Sequence, residues 1–185
     1  LSDFLKEKQA ALRAVDGSRA KGSRLLEAEA LWRACAAMAM QGDTAGAETA
    51  CRQSIVISKP VGDLLLVARG FTILGLVAGN QGDAKQSLEQ HRQALEFARK
   101  IGSRRDITGA LTNIGNVLAS QGDLASAQKS YEEALAAAQE INDRGQIVTL
   151  LNNLATLSQA AGKFSVALRQ YQQSLEEARS VLDKG

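Results

Sequence analysis

His91 is the only histidine among the 185 residues, which rules out a catalytic histidine pair and a histidine-based metal cluster. Cys35 and Cys51 are the only cysteines. Two cysteines cannot build a disulfide framework and suit a reducing compartment, so both are expected as buried thiols. No phosphate-binding glycine loop, nucleophile elbow or metal-ligand spacing is present. The expectation is therefore a chain without catalytic residues, metal or cofactor. The chemistry that remains is recognition. Asn113, Asn116, Asn152 and Asn153 are indifferent helix formers, yet each amide can both donate to and accept from a peptide backbone. Thr112, Thr156 and Gln159 extend this polar, uncharged set. Nearer the start, Trp32, Ile73 and Leu76 stand with Arg33 and Arg69, an apolar and cationic mixture typical of binding anchors. Arg99, Lys100, Arg104 and Arg105 cluster at one turn and could touch phosphates. Most such runs are simply solvated, however, and the aromatic interleaving of single-strand binders is missing.

Elements must position these residues, and the composition says which. Hydrophobic residues make up 45% of the chain while aromatic ones make up 4%, with a single proline. Such a core is aliphatic and rich in alanine, which favours packed helices over strands. A net charge of +2 with 23% charged residues argues against wholesale disorder and against a polyanion binder driven by bulk charge. No apolar run reaches the ~18 residues of a membrane-spanning helix. No signal-peptide pattern stands at the start, and Leu1 in place of Met reads as a trimmed chain. A cytoplasmic location is expected, and the alanine- and arginine-rich composition leans towards a bacterial source.

An internal repeat fixes the architecture. Gln41-Gly42-Asp43 returns as Gln81-Gly82-Asp83 and Gln121-Gly122-Asp123, and decays to Ala161-Gly162-Lys163, at a constant step of 40 residues. Ile55, Leu95, Leu135 and Leu175 keep the same phase, as do Val61, Ile101, Ile141 and Val181. Each unit reads as two helices. In the third, Ile107, Ala110, Leu111, Ile114, Gly115 and Leu118 form a helical stripe. Gly122 supplies the left-handed residue that ends the helix, and Asp123 can cap the next. Ser23, Asp63, Ser103 and Asp143 hold the cap position of each first helix. The short connection forces the paired helices antiparallel. Helix A is predicted at 24–40, 64–80, 104–120 and 144–160, and helix B at 44–58, 84–100, 124–140 and 164–181. Residues 1–22 read as helix B of a partial preceding repeat, 23–62, 63–102, 103–142 and 143–182 as four full repeats, and 183–185 as the start of another. Cys35 and Cys51 fall in core columns that could face each other across a helix pair. Oxidation could then join them, although free thiols are the expectation. His91 shares a column with Tyr131 and Tyr171 and is expected to serve as packing. The glycines Gly75 and Gly115 should let helices A and B approach opposite Ser87 and Ala127, with the tyrosines filling the gap to the next unit. Gly70, Gly75 and Gly79 should make the second helix A the softest element.

These columns resemble the tetratricopeptide repeat family in its long form of about forty residues. In the third unit Leu111, Ile114, Gly115, Leu118, Ala127, Tyr131 and Ala134 stand where that family places its large, small and aromatic residues; Leu151, Leu154, Ala155, Ser158, Ala167, Tyr171 and Ser174 do so in the fourth. The resemblance implies an all-α fold of tandem antiparallel helix pairs in a right-handed superhelical solenoid, residues 1–185 forming one domain. It places the A helices along a concave groove. The groove residues would be Trp32, Arg33, Arg69, Ile73, Thr112, Asn113, Asn116, Asn152, Asn153, Thr156 and Gln159. Kinesin light chains and Pins-type polarity adaptors are similar in carrying asparagine on helix A, where it meets peptide ligands. Asparagine merely solvated on an open surface is the plain alternative, and Trp32 could equally pack on the preceding helix B. No lysine falls in these columns, so the family's clamp for chaperone tails is not implied. The implied function is a non-catalytic module that holds an extended peptide or partner helix in its groove, as a segment of a larger regulatory or scaffold protein. Self-association through open repeat ends is the alternative. Neither nucleic acid nor membrane is an expected partner.

Overall fold

Side chains at the turns set where each helix starts and stops. The computed structural model describes residues 2–20 and 22–182, with side chains for residues 6–20 and 22–180. The expected start of a further repeat at 183–185 lies outside the described residues, and the Val181 side chain lies outside the described side chains. Among the described residues there are nine α-helices and no strand: α1 (Ser2–Ala20), α2 (Arg24–Met40), α3 (Thr44–Ser58), α4 (Leu64–Asn80), α5 (Ala84–Ile101), α6 (Arg104–Ser120), α7 (Leu124–Glu140), α8 (Arg144–Ala160) and α9 (Phe164–Leu182). The A helices α2, α4, α6 and α8 have the expected bounds, and the B helices α3, α5, α7 and α9 match to within one residue.

Asp43, Asp63, Asp83, Asp123 and Asp143 each accept a bond from the backbone N–H three residues on, at 2.9–3.2 Å. These carboxylates satisfy donors that a first helical turn leaves open. Ser103 caps α6 at a longer 3.4 Å from the Asp106 N–H. Ser23, expected to cap α2, makes no side-chain cap bond. Its neighbourhood is held instead by Arg19, which donates to Glu27 at 2.6 Å. Gly42, Gly82 and Gly122 turn the chain at φ 79°, 81° and 81°. At the turns from B helices into A helices Gly62 and Gly102 do the same at φ 78° and 70°, and Asn142 takes their slot at φ 52°, the left-handed region that asparagine tolerates best after glycine.

The chain divides into two compact units, Leu1–Ile101 and Gly102–Gly185. In the first, α2 packs on α1, α3 and α4, and α4 packs on α3 and α5. Its core gathers Val15, Leu31, Ala34, Cys35, Cys51, Ile55, Val67, Leu74 and Val77. In the second, α8 packs on α7 and α9, α6 packs on α7, and α6 also touches α8. Ile107, Leu111, Ile114, Tyr131, Leu150 and Leu154 are buried there.

One contact recurs at the centre of the helix pairs, and it differs from the expectation. A Cβ placed on Gly75 would stand 2.4 Å from His91 Cε1, and one on Gly115 would stand 2.4 Å from Tyr131 Cε1. The ring therefore lies on the glycine of its own repeat rather than filling a gap to the next unit. Ser87 is beside it, its hydroxyl donating to the Gly75 carbonyl at 2.8 Å. Gly70 is pressed likewise by Ile55, whose Cγ1 would lie 2.7 Å from a Cβ. In the first pair the same two columns hold Cys35 and Cys51, which are joined by a disulfide with their Cα atoms 5.3 Å apart. The expectation of free thiols is corrected: both are fully buried, and their backbones approach within bridging distance.

Candidate functional site

The predicted binding residues all project from A helices, and each unit brings its own set together. In the first unit Arg69 of α4 lies over the Trp32 ring of α2, 5.6 Å from the centroid, a cation–π contact. Trp32 is half-buried, and its Nε1–H is shut off from solvent with no hydrogen-bond partner. It walls two hollows. One, of about 310 Å³ between α2 and α4, is also lined by Leu25, Leu26, Leu65 and Arg69. The other, of about 410 Å³ between α1 and α2, includes Ala10, Ala14, Ala36 and Met40. Leu25, Leu26 and Met40 are more than half exposed, at 54%, 53% and 66%. The sequence reading missed these three because they stand at the ends of α2, off its core stripe.

Arg33 is exposed and donates to Glu29 at 2.7 Å. Ile73 is partly buried against the core of the first unit, so it contributes an edge rather than an open side chain. Lys8 donates to Asp43 at 2.7 Å, and that bond holds the Asp43 carboxyl below its ordinary pKa. His91 is buried, its Nδ1 lacks a partner, and burial pushes its pKa down to about 4. It is neutral packing, not a base poised for transfer.

The second unit presents amides, but not all that were expected. Thr112 is only 8% exposed, and its hydroxyl donates to the Thr108 carbonyl at 2.7 Å. Its assignment to the open face is corrected, since a buried hydroxyl satisfied by its own helix offers nothing to a ligand. Asn116 is exposed, yet its Oδ1 accepts the Tyr131 hydroxyl at 2.6 Å. The equivalent place in the next repeat has Thr156 within 3.2 Å of the Tyr171 hydroxyl, with Gln159 Oε1 at 3.4 Å from it. These three residues thus steady the tyrosines. Asn152 is exposed and Asn113 and Asn153 are half-buried, and their side-chain amides make no hydrogen bond among the described residues.

Ion pairs temper the basic cluster, with Lys100 2.6 Å from Glu96 and Arg104 2.5 Å from Glu140. Among the described residues no group of three or more His, Cys, Asp or Glu could hold a metal ion. No helix among them is long and apolar enough to cross a membrane.

Residues 106–180 match the family model of the tetratricopeptide repeat. No curated protein matches the sequence. Solved structures do match. BtubC (BKLC) from P. vanneervenii superposes with a TM-score of 0.82 at 16% identity, over 96% of this chain and 74% of its own. A Rap protein complexed with Competence and Sporulation Factor gives 0.83 at 19% identity, over 99% of this chain and 51% of its own. The Rap conjugation gene regulator of the plasmid pLS20, in complex with the Phr* peptide, gives 0.71 at 19% identity, over 98% and 56%. The chain spans about half the length of these Rap structures. The fold is that of the helical-repeat solenoids of tetratricopeptide type.

Proposed function

We propose that this chain of tetratricopeptide-type repeats is a non-catalytic protein-interaction module, which holds an extended peptide or partner helix against the open face of its A helices. The observation that carries the reading is the Trp32 indole N–H, enclosed without a partner between two hollows with leucines and Arg69 around it. An unmade buried hydrogen bond costs about 1–3 kcal/mol, and a ligand that wedges into either hollow and parts the packing over the N–H would recover it. The second unit has its own candidate contacts in Asn113, Asn152 and Asn153, amides that can pair with a peptide backbone. Two neighbours of the same fold, solved with Competence and Sporulation Factor and with the Phr* peptide, support a peptide as the ligand class. The unbroken 40-residue step supports reading both units as one array. A cytoplasmic location fits this function only with Cys35 and Cys51 reduced, because disulfides persist in oxidising compartments.

Peptide display on the wild type should yield a consensus motif. Trp32→Phe, which keeps an aromatic ring and removes the donor, should weaken the selected peptide about fivefold, the worth of one hydrogen bond. Asn152→Ala/Asn153→Ala should weaken it independently. Asn116 is a poor probe, because its loss also unseats Tyr131. A motif that binds Trp32→Phe and the asparagine double variant as tightly as wild type would move the site elsewhere. If no motif emerges and light-scattering mass rises with concentration, self-association takes its place. That rival draws on α9, where Phe164 and Leu168 are 69% and 60% exposed. Leu168 stands where the first and third repeats have the polar residues Glu48 and Gln128.

A further inference from the structure

Every later repeat sets a ring and a small residue at the two columns the cysteines occupy. The pairs are Gly75 with His91, Gly115 with Tyr131 and Ala155 with Tyr171, each 16 residues apart like Cys35 and Cys51. In the second and third repeats the ring lies directly on the glycine. The first repeat has neither ring nor glycine, and a covalent bond takes over the contact. Both cysteines have 0% exposure. Breaking the bond forces the two sulfurs apart to van der Waals contact inside a closed site, which overpacks it. It also frees the loop that the bond had closed. The helix so held is α2, which carries Leu25, Leu26, Trp32 and Met40, and the contact spanned is that between α2 and α3.

We propose that the Cys35–Cys51 bond is a thiol–disulfide lock on the first helix pair, and that its reduction by a dithiol of the thioredoxin or dithiothreitol class releases α2 and the surface it carries. A thiolate of the reductant attacks one sulfur, the S–S bond breaks, and a mixed disulfide forms. The reductant's second thiol then closes its own disulfide and expels the remaining cysteine. Two electrons pass from reductant to protein, each cysteine ends as a protonated thiol, and the reductant ends oxidised. Because neither sulfur is exposed, attack waits on opening of the α2–α3 pair. The lock therefore resists reduction while the pair stays closed. It rests on the packing of the pair and is independent of what the α2 surface binds.

Trp32 is the chain's only tryptophan and stands three residues before Cys35, so its fluorescence follows the locked helix. Tyr131 and Tyr171, the only tyrosines, follow the second unit. Thermal unfolding is recorded by tryptophan fluorescence and by tyrosine side-chain NMR, with and without dithiothreitol. Thiol titration in denaturant verifies no thiol before reduction and two after. The tryptophan midpoint should fall by roughly 10 °C while the tyrosine midpoint stays, and urea should accelerate reduction. Cys35→Gly/Cys51→Tyr, which copies the pair at 115 and 131, should close the helix pair without a disulfide and abolish the effect of reductant. An unchanged tryptophan midpoint after verified reduction overturns the lock. So does an equal fall at both probes, or two thiols already present in protein purified in air without reductant. If the double variant does not fold, the wild-type comparison alone decides.

Discussion

At the residue scale, His91 shows how a column tolerates a chemical outlier and what that costs. Its imidazole fills the space above Gly75 that Tyr131 fills above Gly115. Burial holds its pKa near 4 against an ordinary 6.5, so the folded chain binds the proton less readily than the unfolded one. The neutral ring's contribution is complete above about pH 6.5 and is lost progressively as the pH falls towards 4. The loss should reach roughly 2–3 kcal/mol by pH 4.5. His91→Tyr should remove it, since position 76 is a half-exposed leucine and a tyrosine hydroxyl there would emerge into water. Urea midpoints of wild type and variant at pH 7 and pH 4.5 test this, because carboxylate titration is common to both proteins. A wild type that loses no more than the variant would show that the imidazole is not desolvated. Column membership revealed His91 as packing. Its acid sensitivity was not legible in the sequence, because it depends on the depth of burial and on an Nδ1 without a partner.

At the element scale, the helices were legible almost to the residue because the turns repeat the same signals. An aspartate or serine stands at each A-helix start, and glycine or Asn142 stands in the left-handed slot. What periodicity could not give was the depth of contact between helices. Thr112 lies on a face that angle alone assigns to solvent, yet it is buried; Asn116 lies on that face but is engaged by Tyr131. Likewise the columns of Cys35 and Cys51 could be read as facing, but bonding required a Cα separation of 5.3 Å. Helix α6 offers a direct test of depth, since one substitution at two of its glycines should act in opposite directions. Nothing lies within 4 Å of a Cβ at Gly109, so Gly109→Ala should stabilise by up to about 1 kcal/mol through helix propensity. Gly115→Ala gains the same propensity but drives a methyl into the Tyr131 ring and strains its bond to Asn116. Overpacking costs about 1–3 kcal/mol, so this variant should be less stable than wild type. Urea midpoints read both signs, and two stabilising alanines would mean that the ring can move aside freely.

At the scale of the whole molecule, the residues whose contribution depends on conditions are unevenly distributed. Cys35, Cys51 and His91 all belong to the unit Leu1–Ile101, and the unit Gly102–Gly185 has neither cysteine nor histidine. At the shared ring-and-small-residue columns, the second unit relies on tyrosines whose hydroxyls meet Asn116, Thr156 and Gln159. Those contacts are indifferent to reductant and to the pH range in which His91 titrates. Helical repeats gain stability approximately as a sum of unit and nearest-neighbour terms, so a loss in one unit need not travel through the other. The chain's intrinsic probes report this separately, with Trp32 in the first unit and Tyr131 and Tyr171 in the second. In urea at pH 7 without reductant, the two sets of signals establish a reference pair of midpoints. In protein reduced with dithiothreitol at pH 7, where the reductant has thiolate to attack with, and then brought to pH 4.5, the tryptophan midpoint should fall by the combined effect of protonation and reduction. The tyrosine midpoint should move only by the smaller amount that carboxylate titration gives the His91→Tyr variant. Additivity of the acid and reductant effects on tryptophan would place the two contacts in separately opening helix pairs. A tyrosine midpoint that falls in step with tryptophan would instead mean that the repeats unfold as one cooperative array, with the disulfide and the histidine governing all of it.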